Sequence, residues 1–341
     1  MDPLTFKHPE TAGLVTIVTP VHNGRPYLQE ALDGIAAQRY GSWELIVVED
    51  GSKEDSADIV RRFAAANPGR RVTYLRNEPS GGASYSRNVA FLEARGEFIA
   101  CLDCDDRWLP GHLEACVGAL TSSGDDLAYS TTVMVADSDE SVIGVWGPTP
   151  HDLANFPQSL FTRSFITPSA TVFRRSFVGD VGPWDASFRC CEDFDFFMRG
   201  LAIGKRFRYV GGVHCLYRKD HEGAATQRLA ETIEYFAMVS QIHDTIPGTR
   251  RGHRNRSIAT TYELAARLHT TLRLHSDPAV YPARAALLYY KAWQVRPKRW
   301  KNLVKSAYCR LRYGFDAGVQ PQNRPSLPAA YLAQTSDSRA A

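Results

Sequence analysis

Residues 97–106 read Glu97-Phe98-Ile99-Ala100-Cys101-Leu102-Asp103-Cys104-Asp105-Asp106. An apolar run that ends in clustered carboxylates has the pattern of a buried strand whose carboxyl end carries a ligand site in an open α/β sheet. The same pattern occurs upstream, where Trp43-Glu44-Leu45-Ile46-Val47-Val48 runs into Glu49-Asp50-Gly51-Ser52. A third acidic mark, Glu192-Asp193, opens the amphipathic stretch Phe194 to Leu201. Carboxylates gathered in one place repel each other unless a cation or a donor-rich ligand satisfies them. Together the three marks predict a metal-dependent site for a phosphorylated substrate.

The flanking sequence supplies the rest of such a sheet. Leu14 to Thr19 is a β-branched run ending at Pro20 and predicts the first strand. Helical spacing follows in Tyr27 to Gln38, then the strand at Trp43 to Val48, then a helix over Glu54 to Ala66 with Ser52 as its cap. Val72 to Leu75 predicts a third strand, Ser84 to Ala94 a helix and Glu97 to Leu102 a fourth strand. Alternating strands and helices predict a parallel sheet covered on both faces. From about residue 125 the pattern changes to a mixed-sheet extension. Its strands are expected at Leu127 to Val135, Ser141 to Trp146, Thr167 to Phe173 and Phe207 to Tyr217, the last bent at Gly211-Gly212. Residues 228–313 are helical by period, with breaks at Pro247-Gly248 and Pro278 to Pro282. The expected organisation is an N-terminal segment 1–13, an α/β domain 14–227, a basic helical extension 228–318 and a disordered tail 319–341.

Composition narrows the class. The 341 residues are 44% hydrophobic and 23% charged, as in soluble globular chains. The polar N-terminus lacks a signal pattern and no apolar run is long enough to span a bilayer, which predicts a cytoplasmic location. Seven irregularly spaced cysteines predict free thiols, with Cys101-x-x-Cys104 lacking a second ligand pair nearby. No Gly-x-Gly-x-x-Gly follows the first strand, where the turn is Pro20-Val21-His22-Asn23-Gly24, and no P-loop occurs. Phosphate must then be held another way, and a divalent cation on carboxylates is the expected device.

Pro20-Val21-His22-Asn23, Glu49-Asp50-Gly51-Ser52, Gly82 to Arg87-Asn88, Leu102 to Asp106 and Glu192-Asp193, in this order, resemble the motifs of family 2 glycosyltransferases with the GT-A fold, a Rossmann-like mixed sheet flanked by helices. Pro183-Trp184-Asp185 and Tyr217-Arg218 fit as well, and the likeness runs from Leu14 to Thr226. The resemblance implies an inverting transfer of sugar from a nucleotide diphosphate donor, a UDP-sugar above all, to a hydroxyl of a glycan or lipid-linked saccharide. It implies Mn²⁺ or Mg²⁺ as cofactor. It places Pro20, Asn23, Asp50, Arg87, Asp103 and Asp105 at the donor, with Asp50 on the base. Asp105, Asp106 and His221 are the metal candidates, and which of Asp103 to Asp106 takes the ion and which the ribose stays open. Asp193 matches the catalytic base, with Glu192 as the alternative and Asp195 a weaker one. Trp184 is either an acceptor platform or a core residue. Two rival readings are a sugar-phosphate nucleotidyltransferase and a non-catalytic nucleotide-sugar-binding subunit.

The net charge of +3 is unevenly spread. Residues 250–313 carry fifteen Lys and Arg against two acids, a local charge of +13, leaving −10 for the remainder. Lys298, Arg299, Trp300, Lys301 and Lys305 mix basic and aromatic character, as helices at membrane surfaces do. The alternatives are contact of residues 250–313 with anionic membrane and a solvated helical face. No motif supports nucleic-acid binding.

Overall fold

The structure, a computed structural model, describes residues 4–54, 56–188, 190–219, 229–243, 245–271 and 280–313. It begins with β1 (Thr11–Val21), α1 (Arg25–Ala36), β2 (Trp43–Asp50), α2 (Ala57–Ala66), β3 (Val72–Asn77), α3 (Gly82–Glu93) and β4 (Gly96–Cys101). β1 pairs in parallel with both β2 and β4, and β2 with β3. Every residue of β2 is buried. Its side chains alternate as a strand requires. Leu45 and Val47 pack with α1 and α2 on one face, while Ile46 and Val48 pack with α3 on the other. Burial on both faces is why this strand reads as a continuous apolar run.

Next come β5 (Arg107–Trp108), α4 (His112–Ser123), β6 (Leu127–Ala136), β7 (Val142–Trp146), α5 (Pro150–Ala154), β8 (Thr171–Arg174), α6 (Arg175–Val181), α7 (Glu192–Ala202) and β9 (Phe207–Lys219). The sheet order among the described residues is β3-β2-β1-β4-β8-β6-β9-β5, with β7 paired to β6. β8 is antiparallel to both β4 and β6, and β9 is parallel to β6. Two reversals restore direction, so β6 and β9 end at the same edge as β1 to β4. One edge therefore gathers Val21, Asp50, Asn77, Cys101 and the Tyr217-Arg218 pair. The mixed sheet with flanking helices matches the expected fold class.

Some local expectations are corrected. β1 starts at Thr11, inside the stretch read as a separate N-terminal segment, and β2 runs on through Glu49 and Asp50. The stretch 167–173 is a 3₁₀ turn over Pro168–Ala170 before β8 begins at Thr171. Ser52 does not cap the following helix, which starts at Ala57 behind Ser56. Ser52 instead donates to Glu49 and accepts from the Asn23 N–H at 2.9 Å. The irregularity expected at Gly211-Gly212 is present within a continuous β9. Their φ values of 70° and 72° accompany a register shift against β6.

The helical extension comprises α8 (Leu229–Ile242), α9 (Arg251–Thr271), α10 (Val280–Val295) and α11 (Trp300–Tyr313). They pack in series, α8 on α7 and each later helix on its predecessor. Their buried side chains, Tyr235, Tyr262 and Leu288 among them, belong to the same core as Phe177 and Phe196. A break at Pro297, unread in the sequence pattern, separates α10 from α11. No helix among the described residues is long and apolar enough to cross a membrane. The expected tail 319–341 lies outside the described residues.

Gly96 opens β4 where it meets β1. A Cβ there would lie 2.6 Å from the Leu14 carbonyl oxygen and the Thr16 nitrogen, and 2.7 Å from the Phe98 carbonyl oxygen. These are backbone atoms fixed by the sheet. Gly96→Ala is therefore expected to lower unfolding free energy by about 2 kcal/mol, measured by urea denaturation.

Candidate active site

Asp50 closes β2 and is nearly inaccessible. Its Oδ1 accepts from Asn77 Nδ2 at 2.8 Å and the Gly81 N–H at 3.0 Å. Its Oδ2 accepts from Ser80 Oγ at 2.6 Å and the Gly82 N–H at 2.7 Å. Burial alone would raise this carboxyl, but the four donors hold it below its ordinary value. The two backbone donors are the first of α3, whose own Gly81 offers no capping side chain. Asp50 thus caps a helix about thirty residues downstream, a role that spacing does not reveal. Gly51 makes the approach possible: its φ is +62°, and a Cβ there would sit 2.6 Å from the Ser80 nitrogen. Of the other expected donor residues, Pro20 is buried in β1 opposite Val48. Asn23 is exposed, with φ 51° at the turn.

One turn into α3, Ser86 Oγ accepts from the same Asn77 amide at 3.0 Å. Its neighbour Arg87 is 2% exposed. Arg87 Nη2 donates to Asp103 Oδ1 at 2.5 Å, and Nη1 lies 3.6 Å from Glu192 Oε1. Although burial opposes its charge, Asp103 above all, with Glu192, holds the guanidinium firmly protonated. It lies 4.7 Å over the Trp184 ring, which itself stacks on Phe196 at 4.4 Å. Trp184 is fully buried. It is the floor under Arg87 and not an acceptor platform. Asn88 fixes this floor from α3: its Oδ1 accepts from the Trp184 N–H and its Nδ2 donates to the Trp184 carbonyl, both at 2.8 Å. α3 therefore joins all three acidic marks through Asp50, Asp103 and Glu192.

The second mark divides by exposure. Asp103 and Asp105 are half-buried, whereas Asp106 is 2% exposed. Asp106 Oδ1 accepts from the Arg218 N–H at 3.3 Å, and Oδ2 is buried without a hydrogen-bond partner. Burial first, then Asp105 and Asp103, push the Asp106 carboxyl well above its ordinary value. A bound cation would itself favour the ionised carboxylate, so Asp106 stays beside Asp105 among the metal candidates. Tyr217, another element the sequence only hinted at, reports how close the marks lie. Burial first, then Asp106, Asp105, Asp103 and Asp193, raise its phenol. Arg218 turns the other way, pairing with Glu30 at 2.6 Å and Asp137 at 3.1 Å. His221 lies outside the described residues. Among the described residues no three His, Cys, Asp or Glu side chains form a metal cage. All seven cysteines are free, as expected, and burial pushes the Cys101 thiol up to about 12.

The third mark starts α7. Cys191, at φ 60°, turns the chain into the helix from the left-handed region, a strained conformation for a residue with a side chain. Glu192 and Asp193 then lie in the first turn, where the helix dipole favours negative charge. Asp193 Oδ1 accepts from the Phe194 N–H at 2.7 Å. Burial and the Glu192 carboxylate still raise Asp193 to about 7. Asp195 differs in kind. It is fully buried, accepting from Arg199 Nε at 2.8 Å and facing His243 Nε2 at 2.9 Å. Burial would raise its carboxyl, but Arg199 and His243 together keep it low. Asp195 anchors α7 to His243, the residue that follows α8, and its burial in that pairing removes it as a candidate base.

Residues 16–182 match the profile of glycosyl transferase family 2. This stretch is a family 2 glycosyltransferase domain. The sheet and helices are those of the GT-A fold. They superpose on Staphylococcus aureus TarS 1-349, crystallised in complex with UDP-GlcNAc, with a TM-score of 0.61 at 18% identity, covering 87% of each chain. Among curated sequences, the putative teichuronic acid biosynthesis glycosyltransferase TuaG of Bacillus subtilis is 35% identical over 30% of this chain and 39% of its own length. WfgD of Escherichia coli, a UDP-Glc:alpha-D-GlcNAc-diphosphoundecaprenol beta-1,3-glucosyltransferase, is 30% identical over 38% of this chain and 49% of its own. The chain thus spans less than two thirds of the length of these relatives.

The raised Asp193 carboxyl has a consequence for stability. A group whose folded pKa lies above its unfolded one stabilises the fold most at low pH, and loses that contribution as pH rises through the folded value, here about 7. Asp193→Asn is expected to raise Tm, with a larger gain at pH 8 than at pH 4, as read by differential scanning calorimetry. An equal or opposite change at the two pH values would show that the carboxyl is not strained.

Proposed function

We propose that this family 2 domain transfers a sugar from a nucleotide diphosphate donor to an acceptor hydroxyl with inversion at the anomeric carbon, and that Asp193 is its general base. The observation that carries this reading is the shared junction: buried Arg87 between Asp103 and Glu192, with a carboxyl held near neutral pKa beside it. A base titrating near the working pH is well matched to proton transfer. The acceptor O–H proton passes to Asp193 as the oxygen attacks the anomeric carbon. The bond from that carbon to the diphosphate oxygen breaks on the opposite side, and the nucleoside diphosphate leaves. Glu192, in contact with Arg87, sets the charge around the base instead of taking the proton.

A UDP-sugar donor is supported by TarS, crystallised with UDP-GlcNAc, and by WfgD, whose name specifies UDP-Glc. Asp50 reads the base N–H. All its lone pairs are engaged, so the base takes the place of the Ser80 hydroxyl: rotation withdraws it, whereas the two N–H donors are fixed backbone and the Asn77 amide is also tied to Ser86. Pro20 and Asn23 frame the turn beside Asp50. Asp105 and Asp106 would hold Mn²⁺ or Mg²⁺, with Asp103 beside them and His221 as a further candidate. The fit is that of a cation that takes one or two carboxylates and completes its shell with phosphates and water, and three crowded aspartates gain from a positive partner. Such an ion stabilises negative charge on the departing diphosphate. The acceptor is a glycan or lipid-linked saccharide, in keeping with the activities for which TuaG and WfgD are named.

The test is transfer from a panel of nucleotide sugars, with release of nucleoside diphosphate as readout. The base must be ionised, so kcat is expected to rise with pH to a plateau, with its midpoint near 7. Asp193→Asn should lose about 10³-fold in kcat and leave donor affinity within a few-fold. EDTA should stop turnover and Mn²⁺ restore it. Full activity in Asp193→Asn, or a rate flat from acid to alkaline pH, overturns the base. Release of inorganic pyrophosphate in place of nucleoside diphosphate overturns transfer itself.

A further inference from the structure

α11 is built inside out. Among its described side chains, 300–309, those it buries are Asn302, Ser306 and Cys309. Asn302 donates to Glu263 at 2.8 Å and Ser306 to the Ala286 carbonyl at 2.8 Å. Its solvent side carries Trp300 at 62% exposure, Leu303 at 40% and Val304 at 54%. Ala307 and Tyr308 extend the same side and are exposed as well. At 3.6 residues per turn these five positions fall within an arc of about 140°, opposite the buried stripe of Asn302, Ser306 and Cys309. A helix that satisfies its polar groups inward and presents its apolar groups outward gains nothing from facing water.

The margin of this face is basic. Lys301 and Lys305 lie along one side of the arc. A shallow pocket of about 260 Å³ at the start of the helix brings Lys298, Lys301 and Lys305 beside Trp300. The fourth cation of the pocket, Arg299, is committed to Glu263. An apolar stripe bordered by lysines, with an indole at one end, is complementary to a surface of hydrocarbon beneath anionic headgroups. The ammonium of half-buried Lys305 lies 5.2 Å over the Tyr289 ring, while the stem of exposed Lys301 can lie along the apolar surface with its ammonium at the phosphates.

We propose that the Trp300, Leu303 and Val304 face of α11 docks on an anionic lipid bilayer, lying in its surface. The packed series α7 to α11 then fixes the catalytic helix relative to that surface. Docking needs neither donor nor turnover, so it stands or falls separately from the transfer reaction.

The experiment is flotation of the full chain with vesicles of phosphatidylcholine alone or with about a third phosphatidylglycerol. The wild type is expected to float with the anionic vesicles, and at least about tenfold less with the neutral ones. Leu303→Glu with Val304→Glu should lose at least about tenfold in binding while its thermal melt stays unchanged, because both side chains are exposed. Lys301→Gln with Lys305→Gln should weaken binding most at low ionic strength, where screening is least. Val142→Glu, an exposed apolar site on β7, should float like the wild type. Failure of the wild type to float overturns the proposal, as does equal flotation of the Leu303/Val304 pair. A dimer abolished by that pair, with no vesicle binding, assigns the face to self-association and overturns the proposal as well.

Discussion

The site depends on one buried cation. Arg87 is sealed in protein, yet it stays charged because Asp103 contacts it directly and Glu192 stands next to it. Removing two charges from water is costly and is tolerated only where geometry and further contacts compensate. Here the compensation comes from three separate chain segments: the turn after β4, the first turn of α7, and the indole of Trp184 under the guanidinium. The same interaction that balances the arginine's charge therefore draws the acidic segments to one place. α3 is held in turn by Asp50 at its first N–H groups and by Asn88 on the Trp184 backbone.

The carboxylates of this edge are chemically distinct although they are the same residue type. Asp50 is kept ionised by four donors, and Asp195 by a buried arginine and histidine. Asp106 is driven toward its neutral form by burial and two like charges. Asp193 lies between these extremes, raised by burial and Glu192 but still served by a backbone N–H. Local environment and not sequence position separates caps, anchors and the candidate base. A strained Cys191 at the entry to α7 and a left-handed Asn23 at the end of β1 sit beside these groups, as functional sites commonly allow.

Much of the sheet was legible because its strands are buried on both faces and so stand out as unbroken apolar runs, as in Leu45 to Val48. The ends were harder to read. Glu49 and Asp50 continue β2 although their polarity suggested that it had stopped, because their backbone pairs with β3 while their side chains find partners beyond it. Ser52 resembled a cap by position but is engaged by Glu49 and Asn23. Trp184 suggested two roles, and only its burial between Arg87 and Phe196 assigned it to the core.

The sequence alone determined the order of strands and helices, the clustering of acids at strand ends and the basic character of residues 250–313, because periodicity and composition are local properties. Tertiary structure decided which acids meet, which are ionised and which face of α11 is apolar. Those outcomes rest on pairing and burial between residues far apart in the chain: Asp50 with Gly82, Arg87 with Asp103 and Glu192, Asp195 with His243, Asn302 with Glu263. Hydrogen bonding and desolvation act through space, and no local reading of residue types can assign them.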